Sequence, residues 1–531
     1  MRRWIPGILY LSLFCVLGYP SITLFRSHVL SGEGDGLQNL WNLWWFYKSV
    51  IIMHQSPWFT TYLHFPHGTS LIGHTLNPFN GFVALAFLPW LSLHMTYNLI
   101  LTGSFVATGW TTYLLAMRLN IGRAGSLLSG AIVTFSNYHF AHAQGQLQLE
   151  SFEWVPIFFL FWITFLQKPQ YRYAAGSAIA LFLILLCDYY YTLYALLGAA
   201  IITVSYGFRF ITRENLPKYA RAIVPFILLT LILCGPFVWA LNHLAREGTM
   251  WGVHSSNEFS LDLLSPFVPG GHWRFASLTE PLWSRWSSNI HENSTYLGWT
   301  VIMLILFSWR RRKEIQTLFL PEWFWVMIVF FILALGPSLH VEGHEFHKII
   351  LPYRLLERVF PLLRISGCPI RMISMVVLAV GLIAGAGFSF WLERNPRTPV
   401  VILFLMVMAL EYWPQPLPAT LLTIPGYVQA LANAPPGAVI DAVSGQTWML
   451  YYQTIHGKPI GLGYISRVPA SVQAADQKLI FLYQQGDFQT LHDRFGFRYI
   501  LTQATGPNRE ICQRFHTLYD DNQTLLVDLA R

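Results

Sequence analysis

The stretch AIVPFILLTLILCGPFVWALN, from Ala222 to Asn242, contains no charged residue. A helix crosses the hydrocarbon core of a bilayer in about 20 predominantly apolar residues. The stretch therefore predicts a transmembrane helix at 222–242. Segments of the same character along the chain predict further spans at 5–25, 97–117, 125–141, 152–167, 172–188, 189–208, 295–309, 322–339, 369–391 and 399–413. The predicted fold class is a mainly α polytopic membrane protein with about eleven spans.

The overall composition agrees with a membrane protein and excludes an ordinary soluble one. Of the 531 residues, 54% are hydrophobic and 11% are charged, whereas soluble domains average about 25% charged residues. The formal charge of +8 does not indicate a nucleic-acid partner, because the basic residues lie in short loops between apolar segments. That distribution is typical of membrane orientation.

The basic loops predict which side of the membrane each loop faces. With a cytoplasmic N-terminus and the first apolar stretch retained as a span, every second turn is cytoplasmic. These turns carry Arg118, Arg123, Lys168, Arg172, Arg209, Arg213, Lys218, Arg221, Arg310, Arg311, Arg312, Lys313, Arg394 and Arg397. The short segment 78–93, interrupted by prolines, would place all of them outside if it crossed. It is therefore predicted to be re-entrant or interfacial.

The same orientation predicts the domain organisation. A transmembrane domain at 1–413 would have outer loops at 26–96, 139–151, 243–294 and 340–368. Beyond residue 413 the composition changes to short strand-like and helical runs, such as GAVIDAV and FRYILTQ. We therefore predict that 414–531 forms a small extracytoplasmic α/β domain.

The first outer loop contains GEGDG at Gly32–Gly36, followed by LQNLWNLWWFYKSVII. The apolar residues of this stretch fall on one face of a helix, and its tryptophans favour a position at the membrane interface. Asp35, beside glycines that let a ligand approach the backbone, could act as a general base or hold a cation. Alternatively, Asp35 caps the helix and Gln38 completes a capping box.

The second outer turn, NYHFAHAQGQLQLESFEW, concentrates polar residues between two spans. His139 and His142 share a helix face at i and i+3. Together with a carboxylate such as Glu150 or Glu153 they could bind a divalent cation or take part in catalysis. Polar groups at a membrane boundary can also be merely solvated.

Ionisable residues near membrane depth are functional candidates. Asp188 begins DYYYTLY at the predicted outer end of a span; the alternative is an aromatic belt formed with Tyr189–Tyr191. Arg364 and Arg371 lie outside or at the interface, against the charge bias. Arginine binds phosphate bidentately, so a lipid-linked phosphate would explain them. The alternative is headgroup anchoring or pairing with nearby glutamates.

This arrangement resembles the GT-C superfamily of integral membrane glycosyltransferases. One span precedes a large outer loop with an early acidic residue, and many spans and an outer tail follow. LLRISGCPIRM (Leu362–Met372) and LYYQTIHGKPIGLGYISR (Leu450–Arg467) also look like segments of bacterial YfhO-like membrane proteins. HTLNPFN, at 74–80, stands where some relatives have an HPPL-type motif.

The resemblance implies transfer of a sugar from a polyprenyl phosphate, in the inner membrane, to a cell-envelope acceptor. It implies Asp35 as the catalytic acidic residue and Glu150 or Glu153 as the second acidic position. His139 or His142 would lie nearby, and Arg364 and Arg371 would contact the donor phosphate. A divalent cation, Mg²⁺ or Mn²⁺, could be held by Asp35, His139 or His142.

Two other classes of function remain open at the level of sequence. A transporter would need ionisable residues deep inside spans or an internal repeat, and the sequence displays no repeat. A non-catalytic assembly factor for envelope polysaccharide would bind partners through its tail.

Overall fold

The helices of the computed structural model coincide with the predicted apolar segments. The structure describes residues 4–246, 248, 250, 254–360, 363 and 367–530. Among these residues, five helices are long and apolar enough to cross a membrane: Leu93–Arg118, Leu147–Gln167, Tyr189–Phe210, Leu216–Arg246 and Pro369–Leu392. Three of them consist of two consecutive shorter helices. The mainly helical fold class is therefore confirmed.

The remaining predicted spans also fall on helices, but on shorter ones. Apolar helices of 10–17 residues lie at Ile5–Leu17, Pro78–Phe87, Tyr171–Cys187, Trp299–Arg310, Leu320–Ala334 and Thr398–Glu411. The predicted span 125–141 coincides with helix Arg123–Thr134. The total of eleven spans stays a prediction. Helix Pro78–Phe87 has 10 residues; at 1.5 Å per residue it extends about 15 Å, half the hydrocarbon thickness.

The other α-helices, including the separate parts of the long apolar segments, and the strands complete the chain. The helices are Asp35–Tyr47, Asn137–His142, Leu147–Glu150, Trp154–Gln167, Leu216–Ala222, Val224–Arg246, Glu280–Trp283, Tyr353–Val359, Ile373–Leu392, Gly426–Asn433, Gln446–His456, Ala470–Gln484, Phe488–Asp493 and Arg509–Cys512. The strands are β1 Phe59–Thr60, β2 Thr69–Ser70, β3 Ser338–Val341, β4 His344–Ile350, β5 Ala438–Asp441, β6 Phe497–Gln503, β7 His516–Asp520 and β8 Thr524–Asp528.

The chain divides into two compact units. Unit 1 comprises Met1–Thr23, Leu99–Pro236 and Val253–Leu417, and unit 2 comprises Leu24–Asn98, Phe237–Gly252 and Pro418–Arg531. The tail thus shares its unit with the first predicted outer loop and with a short piece of the third. The division into 1–413 and 414–531 stays a prediction.

Unit 1 is built around helix Ile373–Leu392, which is buried along nearly its whole length. It packs closely against helix Arg123–Thr134 through glycines on both helices. A Cβ added to Gly125 would lie 2.0 Å from the carbonyl oxygen of Gly385. Small residues that let helix backbones approach are typical of helix packing within membranes.

Unit 2 contains a four-stranded sheet in the order β5-β6-β8-β7, with β5 and β6 parallel and the other pairs antiparallel. Its helix Asp35–Tyr47 packs against Gln446–His456, where the Trp41 indole N–H donates to Gln453 Oε1 at 2.6 Å. The predicted interfacial position of this helix is wrong. Trp41, Trp45 and the polar Gln38, Asn39 and Asn42 are all buried within the protein. Gln38 and Asn42 donate hydrogen bonds to Thr75 of the same unit.

Candidate functional site

Asp35 lies at the start of helix Asp35–Tyr47 and is half-buried. Gly34 occupies the N-cap position, so Asp35 belongs to the first turn, where the helix dipole favours a negative charge. Gln38 does not complete a capping box, because its amide donates to Thr75 Oγ1 at 2.6 Å. The predicted capping box of Asp35 and Gln38 is therefore not present. The Asp35 carboxylate stays a candidate functional group.

The segment that follows His74 is held to this helix by a buried polar network. The backbone N–H of Ser466 donates to His74 Nδ1 at 3.1 Å, so the proton of a neutral ring lies on Nε2, which faces Asn42 Oδ1 at 3.1 Å. Burial lowers the pKa of His74 to about 3, with His64 and Arg467 adding to the shift. The Asn42 amide in turn donates to the Thr75 carbonyl at 2.9 Å. His74 is thus a fixed neutral ring that joins the first loop to the tail.

The tail brings an aromatic hydroxyl and a cation towards Asp35. Burial raises the pKa of Tyr464. The negative charge of Asp35 raises this pKa further, whereas the positive charge of Arg467 lowers it. Both charges therefore act on the same phenol, and all three residues belong to unit 2. Nearby in sequence, the Trp448 indole N–H donates to Glu33 Oε2 at 3.0 Å. We call Asp35, Tyr464 and Arg467 the Asp35 site.

The sequence analysis did not single out Arg467 or connect it with Asp35. The two residues are far apart along the chain, and no local pattern links them. The signal available was the concentration of Gly and Tyr in the tail segment that ends at Arg467.

His139 is held between backbone groups in unit 1. Its Nδ1 lies 2.7 Å from the Thr134 carbonyl oxygen and its Nε2 lies 2.6 Å from that of Glu150. A metal ligand needs a free nitrogen lone pair, and both ring nitrogens already face carbonyl oxygens. This geometry does not fit the predicted metal-binding role of His139.

His142, on the same short helix, faces a buried ion pair. Arg371 donates from Nε and Nη2 to Glu292 Oε1 at 2.9 and 2.5 Å, and His142 Nε2 lies 3.8 Å from Glu292 Oε2. Burial alone would raise the pKa of Glu292, but attraction to Arg371 and His142 holds it below its usual value. Glu292 was not predicted, because one acid in a long polar loop carries no signal of its own.

The other acidic candidates of unit 1 are also buried. Glu153 Oε2 accepts from Ser104 Oγ at 2.7 Å, whereas Glu150 is fully buried with His139 Nε2 3.6 Å from its Oε1. Asp188 is the N-cap of helix Tyr189–Phe210, its Oδ1 accepting from the backbone N–H of Tyr190 and Tyr191 at 2.8 and 3.2 Å. This is the usual stabilising role of an N-cap aspartate.

The aromatic-belt alternative for Tyr189–Tyr191 does not hold at Tyr191. Its side chain is buried, and its hydroxyl donates to the Leu149 carbonyl at 2.6 Å. A belt residue would instead present its ring to the membrane interface.

The comparisons with known proteins agree with the membrane architecture. Residues 7–413 match the family described as "Domain of unknown function (DUF6311)". The chain belongs to this family. No curated protein sequence matches it.

Solved structures that resemble the DUF6311 chain include those of two named proteins. Arabinofuranosyltransferase AftD from Mycobacteria matches with a TM-score of 0.59 and 15% identity over 95% of this chain, which spans only 37% of that protein. ArnT from Cupriavidus metallidurans, bound to undecaprenyl phosphate, matches with a TM-score of 0.50 and 10% identity over 99% of this chain and 98% of that one. The predicted GT-C resemblance is confirmed at the level of the fold, and the chain is a membrane protein.

The predicted site residues fall into two sets within this DUF6311 chain. Unit 1 contains His139, His142, Glu150, Glu153, Asp188 and Arg371, and unit 2 contains Asp35. Arg364 lies outside the described residues. Within the described part of the chain, no group of three or more His, Cys, Asp or Glu residues could hold a metal ion. The predicted divalent cation stays a prediction.

The buried histidines predict how stability depends on pH. Burial lowers the pKa of His74 and His272 to about 3 and that of His142 to about 4. An unfolded histidine titrates near pH 6.5, so below that value the unfolded state binds more protons than the folded state. The contribution of these histidines to stability should therefore decline as pH falls from about 7.5 to about 5. Thermal unfolding in detergent at a series of pH values measures this.

A matched pair of variants isolates the cause. His142→Gln should flatten the decline, whereas the same substitution at the exposed His516 should leave it unchanged. The same pH dependence of the melting temperature in His142→Gln and in the wild type would contradict the prediction.

Proposed function

We propose that this protein transfers a sugar from a polyprenyl-phosphate donor to an acceptor outside the cytoplasm, at the Asp35 site. One observation carries the proposal: Asp35 is a half-buried carboxylate in the first turn of a helix, in a chain whose fold resembles that of the glycosyltransferase AftD. Acid and cation are the two groups that glycosyl transfer from a phosphate requires. ArnT, a structure of the same fold, is bound to undecaprenyl phosphate.

Asp35 acts as the general base in this proposal. Its carboxylate takes the proton of an acceptor hydroxyl while that oxygen attacks the anomeric carbon. The bond from this carbon to the phosphate oxygen breaks, and its electron pair leaves with the polyprenyl phosphate. A single displacement of this kind inverts the configuration at the anomeric carbon. The proton then passes from Asp35 to solvent.

Arg467 and Tyr464 stabilise the leaving phosphate. Arginine presents N–H donors in a fork that matches phosphate oxygens and remains charged. A tyrosine has a pKa of about 10, and burial raises that of Tyr464, so its phenol can donate a hydrogen bond at neutral pH. Arg371 suits this role less well, since two of its donors bond Glu292 within unit 1.

The proposal is tested with purified protein in detergent and a panel of radiolabelled polyprenyl-phosphate sugars, with and without a chelator. Turnover of one donor, lost in Asp35→Asn, would support the proposal, and the chelator arm tests the predicted Mg²⁺ or Mn²⁺. A folded wild-type protein that neither binds nor turns over any donor would favour the transporter or assembly-factor alternatives.

Replacing Arg467 by alanine should lower the transfer rate by about ten- to a hundredfold. A preorganised donor to developing negative charge contributes about this much or more to rate. Arg467→Lys should recover only part of the rate, because lysine lacks the planar fork. The matched control is Arg494→Ala, which removes an exposed arginine of the same unit.

Initial rates with the preferred donor measure the effect. Equal rates for Arg467→Ala and Arg494→Ala would remove Arg467 from the site. A loss that appears only in donor KM would make it a binding group without a role in the chemical step.

A further inference from the structure

A groove opens between helices Tyr189–Phe210 and Leu320–Ala334 in unit 1. Its volume is about 640 Å³ and its walls include Ile201, Val204, Phe208, Trp325 and Val329. Val204, Phe208 and Trp325 are exposed large apolar side chains. Volumes of about 300–1,000 Å³ are typical of sites for small ligands.

The position of the groove determines the chemistry of its occupant. Helix Tyr189–Phe210 is among the helices long and apolar enough to cross a membrane, and little of it is buried within the protein. Its outer surface therefore faces lipid, and apolar walls in that setting attract hydrocarbon rather than a water-soluble molecule. An acyl chain is the ligand that this lining accommodates.

One end of the groove carries a charged group. Arg209 lines it, and its side chain is 43% exposed. The guanidinium pairs with Glu322, and its Nε faces the Ser205 carbonyl oxygen at 3.4 Å. Glu322 is fully buried, so the pair fixes the arginine at the groove mouth. An arginine has five N–H donors, and these contacts leave several available.

The sequence next to this end is basic. Arg213, Lys218 and Arg221 follow Arg209 within one loop and a short helix. Their positive charge exceeds what Glu214 and Glu322 neutralise and attracts anionic headgroups, as basic residues beside a membrane span do. A phospholipid with its phosphate at Arg209 and an acyl chain along the groove would match both the basic end and the apolar walls.

We propose that this groove binds one membrane phospholipid with an anionic headgroup, its phosphate on Arg209 and one acyl chain against Val204 and Trp325. The charge bias of the loops puts this site in the cytoplasmic leaflet. The site belongs to unit 1, contains none of the Asp35 site, and does not depend on the proposed transfer reaction.

Native mass spectrometry of the purified full-length protein tests the proposal, with phosphatidylglycerol and phosphatidylcholine as probes. The wild type should retain one phosphatidylglycerol and bind it about tenfold more tightly than phosphatidylcholine. Phosphatidylglycerol should also raise the melting temperature, because a ligand that binds only the folded state stabilises it. Equal binding of the two lipids by the wild type would overturn the headgroup assignment.

Two variants locate the lipid. Val204→Trp fills the groove and should abolish the bound phosphatidylglycerol, whereas Ile232→Trp, at an exposed position on helix Val224–Arg246, should not. The double variant Arg209→Ala/Glu322→Gln removes the headgroup contact without leaving a buried unpaired charge, and should reduce the preference for phosphatidylglycerol about tenfold. Arg172→Ala is its charge control. Retention of the lipid in Val204→Trp at the level of Ile232→Trp would overturn the groove assignment.

Discussion

Asp35→Asn is expected to lower glycosyl transfer by about 10²–10⁴-fold without loss of the folded protein. Asparagine has the shape of aspartate but cannot accept a proton at neutral pH, and a positioned general base contributes about this factor to rate. The substitution is tolerable structurally because Asp35 is half-buried in the first helical turn. Initial rates with the preferred donor, together with the melting temperature, measure both parts of this prediction.

The control for Asp35→Asn lies two residues earlier in the same loop. Glu33 is exposed, and its carboxylate accepts a hydrogen bond from the Trp448 indole. Glu33→Gln removes a negative charge from the same loop and keeps a hydrogen-bond acceptor for the tryptophan. It should retain most of the activity. If both variants lose activity equally, the activity depends on the negative charge of the loop rather than on a base at Asp35. Full activity of Asp35→Asn would exclude Asp35 as the base.

A donor-binding measurement on Asp35→Asn separates two roles of the carboxylate. A base acts on the acceptor during the chemical step, so donor affinity should change little while kcat falls. A carboxylate that holds a cation for the donor would instead lose donor affinity, and a chelator would reproduce that loss in the wild type.

The positions of the helices were predictable because they depend on local composition. Apolar runs such as 222–242 recur as helices with similar limits, since a run of apolar residues in a membrane must satisfy its backbone internally. The predicted span 125–141 was too long at its end. Helix Arg123–Thr134 stops there, and Ser136 begins a new helix by accepting from the His139 backbone N–H at 3.2 Å.

The partners of the polar residues were not predictable in the same way. Glu292 and Arg371 pair across many intervening residues, and the charges that act on Tyr464 come from the first loop and from the tail. Such contacts are set by how helices and loops pack, which periodicity does not encode. The N-cap role of Asp188 was not predicted either, although N-capping is a local interaction for which aspartate is a favoured residue.

The two histidines of the second outer turn show the limit of reasoning from spacing. His139 and His142 are three residues apart on one short helix, which suggested a shared function. Their rings have different surroundings: His139 meets two backbone carbonyls, and His142 meets Gln146 and Glu292. The spacing of two residues predicts that they share a side of a helix, but the neighbouring helices and loops determine which groups each side chain contacts.

Arg371→Ala should destabilise the protein by about 3–5 kcal/mol, because it leaves the Glu292 carboxylate buried without its cation. Both side chains are largely removed from solvent, with 14% of the arginine and 1% of the glutamate exposed. The double variant Arg371→Met/Glu292→Leu should recover most of the loss, since it removes both charges together. Unfolding by titration with SDS measures the difference, with Arg172→Ala as an exposed-arginine control.

The pH dependence of Arg371→Ala identifies the cause of its instability. Burial lowers the pKa of His142 to about 4; Glu292 opposes that shift and Arg371 adds to it. Without Arg371 the pKa of His142 should rise, so the ring can protonate beside Glu292 and replace the lost cation as pH falls from about 8 to about 6. The deficit relative to wild type should therefore shrink over this range. An Arg371→Ala variant of wild-type stability that has lost donor binding would instead support the predicted phosphate contact, because a residue that binds a ligand can be removed without weakening the fold.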